Sequence, residues 1–244
     1  MRGNTARAER GHRADEPLPY LMAAAHELKS PLALIRQLAL ELADPDCDHR
    51  SRERLVERIT LTSERALRLT GDLTRSARLD DSLFALEPLN PLELLDDVAR
   101  EITPLYAARQ RQIEVQPHAW PLLVVANRDL LRRVMLQFCD NALHYSETDH
   151  PVRLVATASP SRGSIRLAVR DYGPAISPHI WRDLEAHLGK RPQPLSSRPL
   201  GSGLGLRIAE QFATAMQARV GAIRHTDGAT FYIDLAASMQ MSLL

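Results

Sequence analysis

Nowhere in these 244 residues does an apolar run approach the roughly 20 needed to cross a bilayer as a helix. The N-terminus carries charges but no apolar core of the signal-peptide kind, so a soluble chain is expected. Cysteine is nearly missing as well. Cys47, in a loop-like stretch, and Cys139, inside an apolar helical pattern, give neither a disulfide framework nor a metal-ligand spacing, and both are expected as reduced thiols in the cytosol. Net charge is close to zero. A formal charge of +1, with arginines interleaved among acids, excludes a nucleic-acid binder that works by neutralising phosphates. No sensor module is recognisable, so the input is expected either from a domain cut away from this sequence or from a partner.

What is present is enough for a core, since 44% of the residues are apolar, and the pattern divides better into two domains than one. Residues 1–16 are rich in Arg, Glu and Gly without periodicity and read as a disordered arm. A first helix from about Leu18 to Leu42, about 37 Å long, has Ala25, Leu28, Leu32, Ile35, Ala39 and Leu42 as its apolar seam. Asp44-Pro45-Asp46 breaks it, and a second helix runs from about Ser51 to Leu79. Its stripe is Leu55, Ile59, Thr62, Ala66, Leu69, Leu73 and Ser76, at alternating steps of four and three. Two such helices make an antiparallel hairpin over residues 17–80. A lone hairpin leaves much of each stripe wet. A homodimeric four-helix bundle through residues 18–79 is therefore expected, the alternative being a hairpin packed on the rest of its own chain.

Residues 81–90 form a linker, with a short strand expected over 83–86. Asn90-Pro91-Leu92-Glu93 is a helix start, with Asn as N-cap and Pro in the first turn, and it opens a second domain over 91–238, followed by a tail at 239–244. A helix to about Arg109 is followed by strands at Gln112–Gln116 and Leu122–Val125. Asn127 then caps a helix to about Tyr145. Strands at Val152–Ala158 and Ser164–Arg170, a long lid, a helix from Leu204 to Met216, and strands near Val220–Arg224 and Ala229–Leu235 complete it. Helices alternating with a mostly antiparallel sheet make an α/β sandwich.

Chemistry-bearing residues stand at defined places in this scheme. His26 and Ser30 fall one turn apart on a polar face of the first helix, with Glu27 beside the imidazole. A neutral imidazole is a usable nucleophile, and a neighbouring carboxylate can orient it; alone, the pair also fits a solvated helix face. Gln137, Asn141 and His144 share one helix face, where an amide oxygen suits magnesium or simply a neighbouring loop. The inward parity of Ile165, Leu167 and Val169 continues to Asp171. That carboxylate arrives against an apolar floor and needs a donor, unless it only shapes a turn. Gly201-Ser202-Gly203-Leu204-Gly205 opens a helix whose amides and dipole suit phosphate, while the preceding Ser196-Ser197-Arg198-Pro199 argues against a dinucleotide fingerprint. Five prolines between Tyr172 and Leu200 mark the lid, in which Ser177-Pro178 starts a short helix with Trp181, Leu184 and Leu188 on one face and Gly189 at its end.

His26-Glu27-Leu28-Lys29-Ser30-Pro31-Leu32 resembles the phospho-acceptor box of bacterial sensor histidine kinases. Asp140-Asn141-Ala142-Leu143-His144-Tyr145-Ser146, Asp171-Tyr172-Gly173-Pro174-Ala175-Ile176 and Gly201-Ser202-Gly203-Leu204-Gly205-Leu206 resemble that family's nucleotide blocks, in its order and approximate spacing. The resemblance covers residues 18–236. It implies a phosphotransfer hairpin followed by an ATP-binding domain of the Bergerat type shared with gyrase, Hsp90 and MutL. It further implies autophosphorylation of His26 by ATP with Glu27 as partner, and magnesium on Asn141. Adenine would be held by Asp171 above Gly173, and the nucleotide contacted by Gln137, His144, Tyr145, Gly201, Gly203, Leu204 and Gly205. The phosphoryl group would pass to an aspartate of a response regulator receiver domain, with Ser30 a candidate for orienting water in the reverse, phosphatase reaction.

The chain departs from the family at Gln137 for the usual Asn, His144 for the usual Lys or Arg, Ala175 for a second glycine, and a lid without its phenylalanine motif, where Trp181 is a candidate replacement. These departures keep open a non-catalytic dimeric scaffold. An ATP-hydrolysing machine fits less well, because its relatives carry a glutamate where Gln137 stands, and an amide cannot act as a base.

Overall fold

The computed structural model describes residues 17–79, 84–117, 123–146, 150–159, 163–179, 181–182 and 204–238. The expected arm at 1–16 and tail at 239–244 lie outside these, as do Leu184, Leu188, Gly189, Gly201 and Gly203. Two long helices open the fold, α1 (Pro17–Leu42) and α2 (His49–Ser76). α2 begins two residues before the expected Ser51 because Asp48 takes the N-cap, its carboxylate accepting from the Ser51 N–H at 3.1 Å and the Ser51 hydroxyl at 2.7 Å. Pro31 lies within α1 and removes the N–H that would bond the Glu27 carbonyl one turn back.

α2 packs as its spacing suggests, with Leu55 buried and Ile59, Thr62, Ala66, Leu69, Leu73 and Ser76 half-buried. α1 does not. Ala24 and Leu38 are buried and Leu28, Pro31, Ile35 and Leu42 half-buried, whereas Ala25, Leu32 and Ala39 of the expected seam are exposed. The alternation of four and three survives, but the packed stripe shifts by one residue at every second position. α1 is apolar on two adjacent faces and only one meets α2. Leu32, Leu40, Val56 and Leu67 stay 59%, 62%, 50% and 71% exposed.

The expected strand at 83–86 is displaced to β1 (Glu87–Leu89), which pairs antiparallel with β3 (Val124–Ala126). Asn90 caps α3 (Pro91–Ala107), accepting from the Leu92 N–H at 3.0 Å, and Asn127 caps α4 (Arg128–Tyr145), accepting from the Leu130 N–H at 3.1 Å. The main sheet comprises β2 (Ile113–Val115), β4 (Val152–Ser159), β5 (Ser164–Arg170), β6 (Arg219–His225) and β7 (Gly228–Ala236), in the order β2-β4-β5-β7-β6. β2 and β4 run parallel and every other pair antiparallel. α5 (Leu204–Ala215) packs beside α4, and Val98, Ile102, Leu131, Val134, Phe138, Leu154, Leu167, Ile208, Phe212 and Ile233 fill the layer between helices and sheet. Tyr106 is fully buried there, its hydroxyl donating to the Cys139 carbonyl at 2.8 Å.

The hairpin docks on this layer along α2. Ala23, Ala24, Leu69, Leu73 and Leu79 reach the core, and polar contacts stand beside them. Arg75 lies 3.2 Å from Asp129, Asp72 is paired with Arg133, and Gln137 donates to Asp72 at 2.9 Å. Arg65 and Arg68 each stand 3.8 Å from Asp140, and Ser76 bonds Gln211 of α5. The hairpin thus does rest on its own chain on the α2 side, with Leu67 facing the space between the two, while Leu32, Leu40 and Val56 lie outside that space.

Candidate functional site

A cavity of about 1200 Å³ opens between the hairpin, α4, the end of β5 and the start of α5. His26, Glu27 and Ser30 line it from α1; Gln137, Asn141, His144 and Tyr145 from α4; and Asp171, Ala175, Leu204 and Gly205 from beyond the sheet. Two stretches more than a hundred residues apart in sequence therefore share one space, sized for a drug-like or nucleotide ligand. His26 and Ser30 are exposed and Glu27 half-buried, so the imidazole is accessible from the cavity.

Asp171 sits at the end of β5, where strand parity turns it inward, and it is 3% exposed. Its Oδ1 accepts from the Ala229 N–H at 3.1 Å, and its own N–H donates to the Ala229 carbonyl at 3.0 Å. Burial outweighs these bonds and the nearby Arg170, raising its pKa to about 6. Glycine is required on both sides of it. A Cβ on Gly173 would lie 2.3 Å from the Tyr145 carbonyl oxygen, and one on Gly228 would lie 2.4 Å from the Asp171 carbonyl oxygen, with φ at +132°. Gly228 was not singled out from the sequence, although Asp227-Gly228 between two strands is a turn signal.

Along α4 the three polar residues do different things. The Asn141 side-chain nitrogen is buried without a hydrogen-bond partner among the described residues, leaving its N–H groups unspent there. Gln137 is committed: it donates to Asp72 of the hairpin, and its Oε1 would lie 2.5 Å from a Cβ on Gly205, so Gly205 serves here as a packing glycine against it. His144 meets the Tyr145 ring edge-on at 4.8 Å. Burial, with Arg65 and Arg109, lowers the His144 pKa and Glu27 partly restores it; burial and Glu27 raise that of Tyr145. Trp181 is half-buried and is not among the residues lining the cavity. Asp72, Arg65 and Arg68 belong to the site's walls without having been marked by any motif, and Asp140, which opens the block that holds Asn141, had no role assigned to it.

Comparison with known proteins agrees with this layout. Residues 126–238 match the family described as histidine kinase-, DNA gyrase B-, and HSP90-like ATPase. The chain is 32% identical over 196 residues to the sensor protein QseC of Salmonella typhi, covering 78% of this chain and 41% of that protein. It is 29% identical over 213 residues to the sensor protein kinase PmrB of Pseudomonas aeruginosa, covering 84% of this chain and 42% of PmrB. The chain thus spans less than half the length of these relatives. Its fold is like that of full-length ShkA, solved in complex with AMPPNP, with a TM-score of 0.61 at 24% identity over 92% of this chain and 47% of that one. It is also like the histidine kinase AdeS of Acinetobacter baumannii, with a TM-score of 0.56 at 17% identity over 86% of this chain and 97% of that one. In hairpin, sandwich and sequence together this chain is similar to the catalytic core of sensor histidine kinases, with the part that matches the ATPase family at residues 126–238.

Proposed function

We propose that this chain transfers the terminal phosphoryl group of ATP to His26 and then to an aspartate on a response regulator receiver domain. The observation that carries the reading is that His26 lines the same cavity as Asp171 and Asn141. Asp171 binds the exocyclic amine of adenine with the oxygen not used by Ala229, and Gly173 keeps the floor beneath the base open to Tyr145. The amides at Leu204 and Gly205, with Gly201 and Gly203 before them, receive phosphate oxygens at the start of α5. The side-chain oxygen of Asn141, which lines the cavity, would hold a magnesium ion, which would screen the charge of the phosphates. In the transfer, a ring nitrogen of His26 donates its lone pair to phosphorus as the bond to the bridging oxygen breaks. ADP leaves with that electron pair, and Glu27 orients the ring and accepts the proton from its other nitrogen.

Leu32, Leu40 and Val56 are exposed apolar side chains of the hairpin outside the cavity, which supports a homodimer through residues 18–79, closed as a four-helix bundle with His26 on its outside. Receiver docking on that bundle brings Ser30, one turn from His26, to the phosphoaspartate for the reverse reaction. A partner and a substrate of this kind place the reaction in the cytoplasm. Among the described residues no helix is long and apolar enough to cross a membrane. Gln137 held by Asp72 supports transfer over hydrolysis, since an amide tied to the hairpin does not activate water. Incubation with γ-labelled ATP and magnesium tests this. An acid-labile label on the native chain and none on His26→Gln is expected; phosphate release without label would establish a hydrolase, and neither would leave a scaffold.

A further inference from the structure

Asp140, one residue before Asn141, is a buried carboxylate met by Arg65 and Arg68 from α2, each 3.8 Å away. At that separation the ion pairs are too long for hydrogen bonds. Asp140 Oδ1, Arg68 Nε and Arg68 Nη2 are all buried without a hydrogen-bond partner among the described residues. Arg109, just past α3, adds a third cation: burial and Arg65 pull its pKa down and Asp140 pulls it up. Two guanidiniums thus flank one carboxylate, those of Arg65 and Arg68, with two Arg68 donors unfilled, and Arg109 shares the same cavity wall. Other arginines of that wall are committed, Arg132 to Glu101 and Arg133 to Asp72 and Asp129. Buried donors are ordinarily satisfied, so an excess of them with net positive charge is a binding place for an anion. Glu27 and Glu64 also reach the cavity, Glu27 acting on the His144–Tyr145 side.

The anion's place follows from what stands next to the cluster. Arg65 and Arg109 are close enough to His144 to act on its ring, and burial with these two cations disfavours a charge on that ring. His26 lies across the same space. We propose that Arg65 and Arg68 are catalytic residues: they grip the terminal phosphate oxygens of ATP during transfer to His26, supplying from the hairpin the cation that His144 does not carry. This rests on the reading of the cavity as an ATP site. As the bond from phosphorus to the bridging oxygen breaks and the bond to the His26 nitrogen forms, charge spreads over the non-bridging oxygens and the departing diphosphate. A guanidinium fork matches two such oxygens at once. Asp140 keeps both arginines aimed into the cavity when no nucleotide is bound, and nucleophile and cation then travel on the same hairpin.

Titration calorimetry of ATP and of ADP, with magnesium, separates this role from mere neutralisation of Asp140. The native chain is expected to bind ATP at least about tenfold more tightly than ADP. Arg65→Ala and Arg68→Ala should each lose on the order of tenfold in ATP affinity, with ADP affinity unchanged within about twofold. Combining both with Asp140→Asn, so that no carboxylate is stranded, should erase the preference. Where an alanine variant fails to fold, Arg65→Lys and Arg68→Lys retain the charge; these should slow single-turnover transfer at saturating ATP about tenfold and leave ADP affinity alone. ATP and ADP affinities falling together, or an unchanged rate in the lysine variants, would overturn the proposal. A native chain that binds neither nucleotide overturns the ATP site itself, and this inference with it, a failure distinct from the other two.

Discussion

Replacing Asp171 with Asn should make the ligand-free protein more stable at neutral pH while removing its affinity for adenine. The carboxylate is 3% exposed, and burial raises its pKa from 3.8 to about 6 against the opposing effects of the Ala229 N–H and Arg170. A carboxyl whose pKa is raised by folding favours the folded state fully below its unfolded value, and that contribution is lost as pH rises through the folded one. Above about pH 7 the native chain therefore carries an ionised group that burial disfavours by about 3 kcal/mol. The amide keeps the Ala229 bond through its oxygen and carries no charge. Urea unfolding of both proteins should show the variant ahead by about 2–3 kcal/mol near pH 7.5, the gap closing toward zero near pH 4. Other titrating groups drop out of the difference. Calorimetry should meanwhile show adenine nucleotides no longer binding the variant. A variant less stable than the native chain at neutral pH, or a gap that does not move with pH, would refute the argument that this carboxylate is held at a cost for a ligand.

Gly173→Ala would press a methyl group to 2.3 Å from the backbone oxygen of Tyr145, which cannot turn aside, and should lower stability by about 2–3 kcal/mol in thermal unfolding. Burial lifts the Cys139 thiol well above its usual pKa while Cys47 is partly accessible, so a thiol reagent should modify Cys47 alone in the native protein and both in denaturant. Leu32→Glu and Leu40→Glu put charge on leucines that are 59% and 62% exposed in one chain; both should halve the mass seen by light scattering, and a native chain already monomeric at micromolar concentration would remove the dimer.

Local chemistry was legible where a short stretch decides it. Asn90 and Asn127 announce their helices because an amide capping an N–H needs only the next few residues, and the parity that turns Asp171 inward is written in alternate positions of β5. The seam of α1 was misplaced because a helix apolar on two faces does not say which one meets its hairpin partner. Start sites fell where competing caps were close together, as with Asp48 and Ser51. Gln137 was visible as an amide on the site's face, but its bond to Asp72 joins residues 65 positions apart, and nothing near either one encodes the meeting. The same holds for Asp140 with Arg65 and Arg68, whose importance lies in bonds left unmade.

The joint between the hairpin and the second domain combines a few apolar side chains, Ala23, Ala24, Leu69, Leu73 and Leu79, with guanidinium, carboxylate and amide groups. Water solvates such groups readily, so when the two halves part each is left wetted rather than sticky. Were the proposed transfer to His26 to require the halves to part and rejoin, that cycle would bare few apolar groups. Ionic strength in the surrounding fluid then becomes a quiet setting on how often the histidine meets its donor.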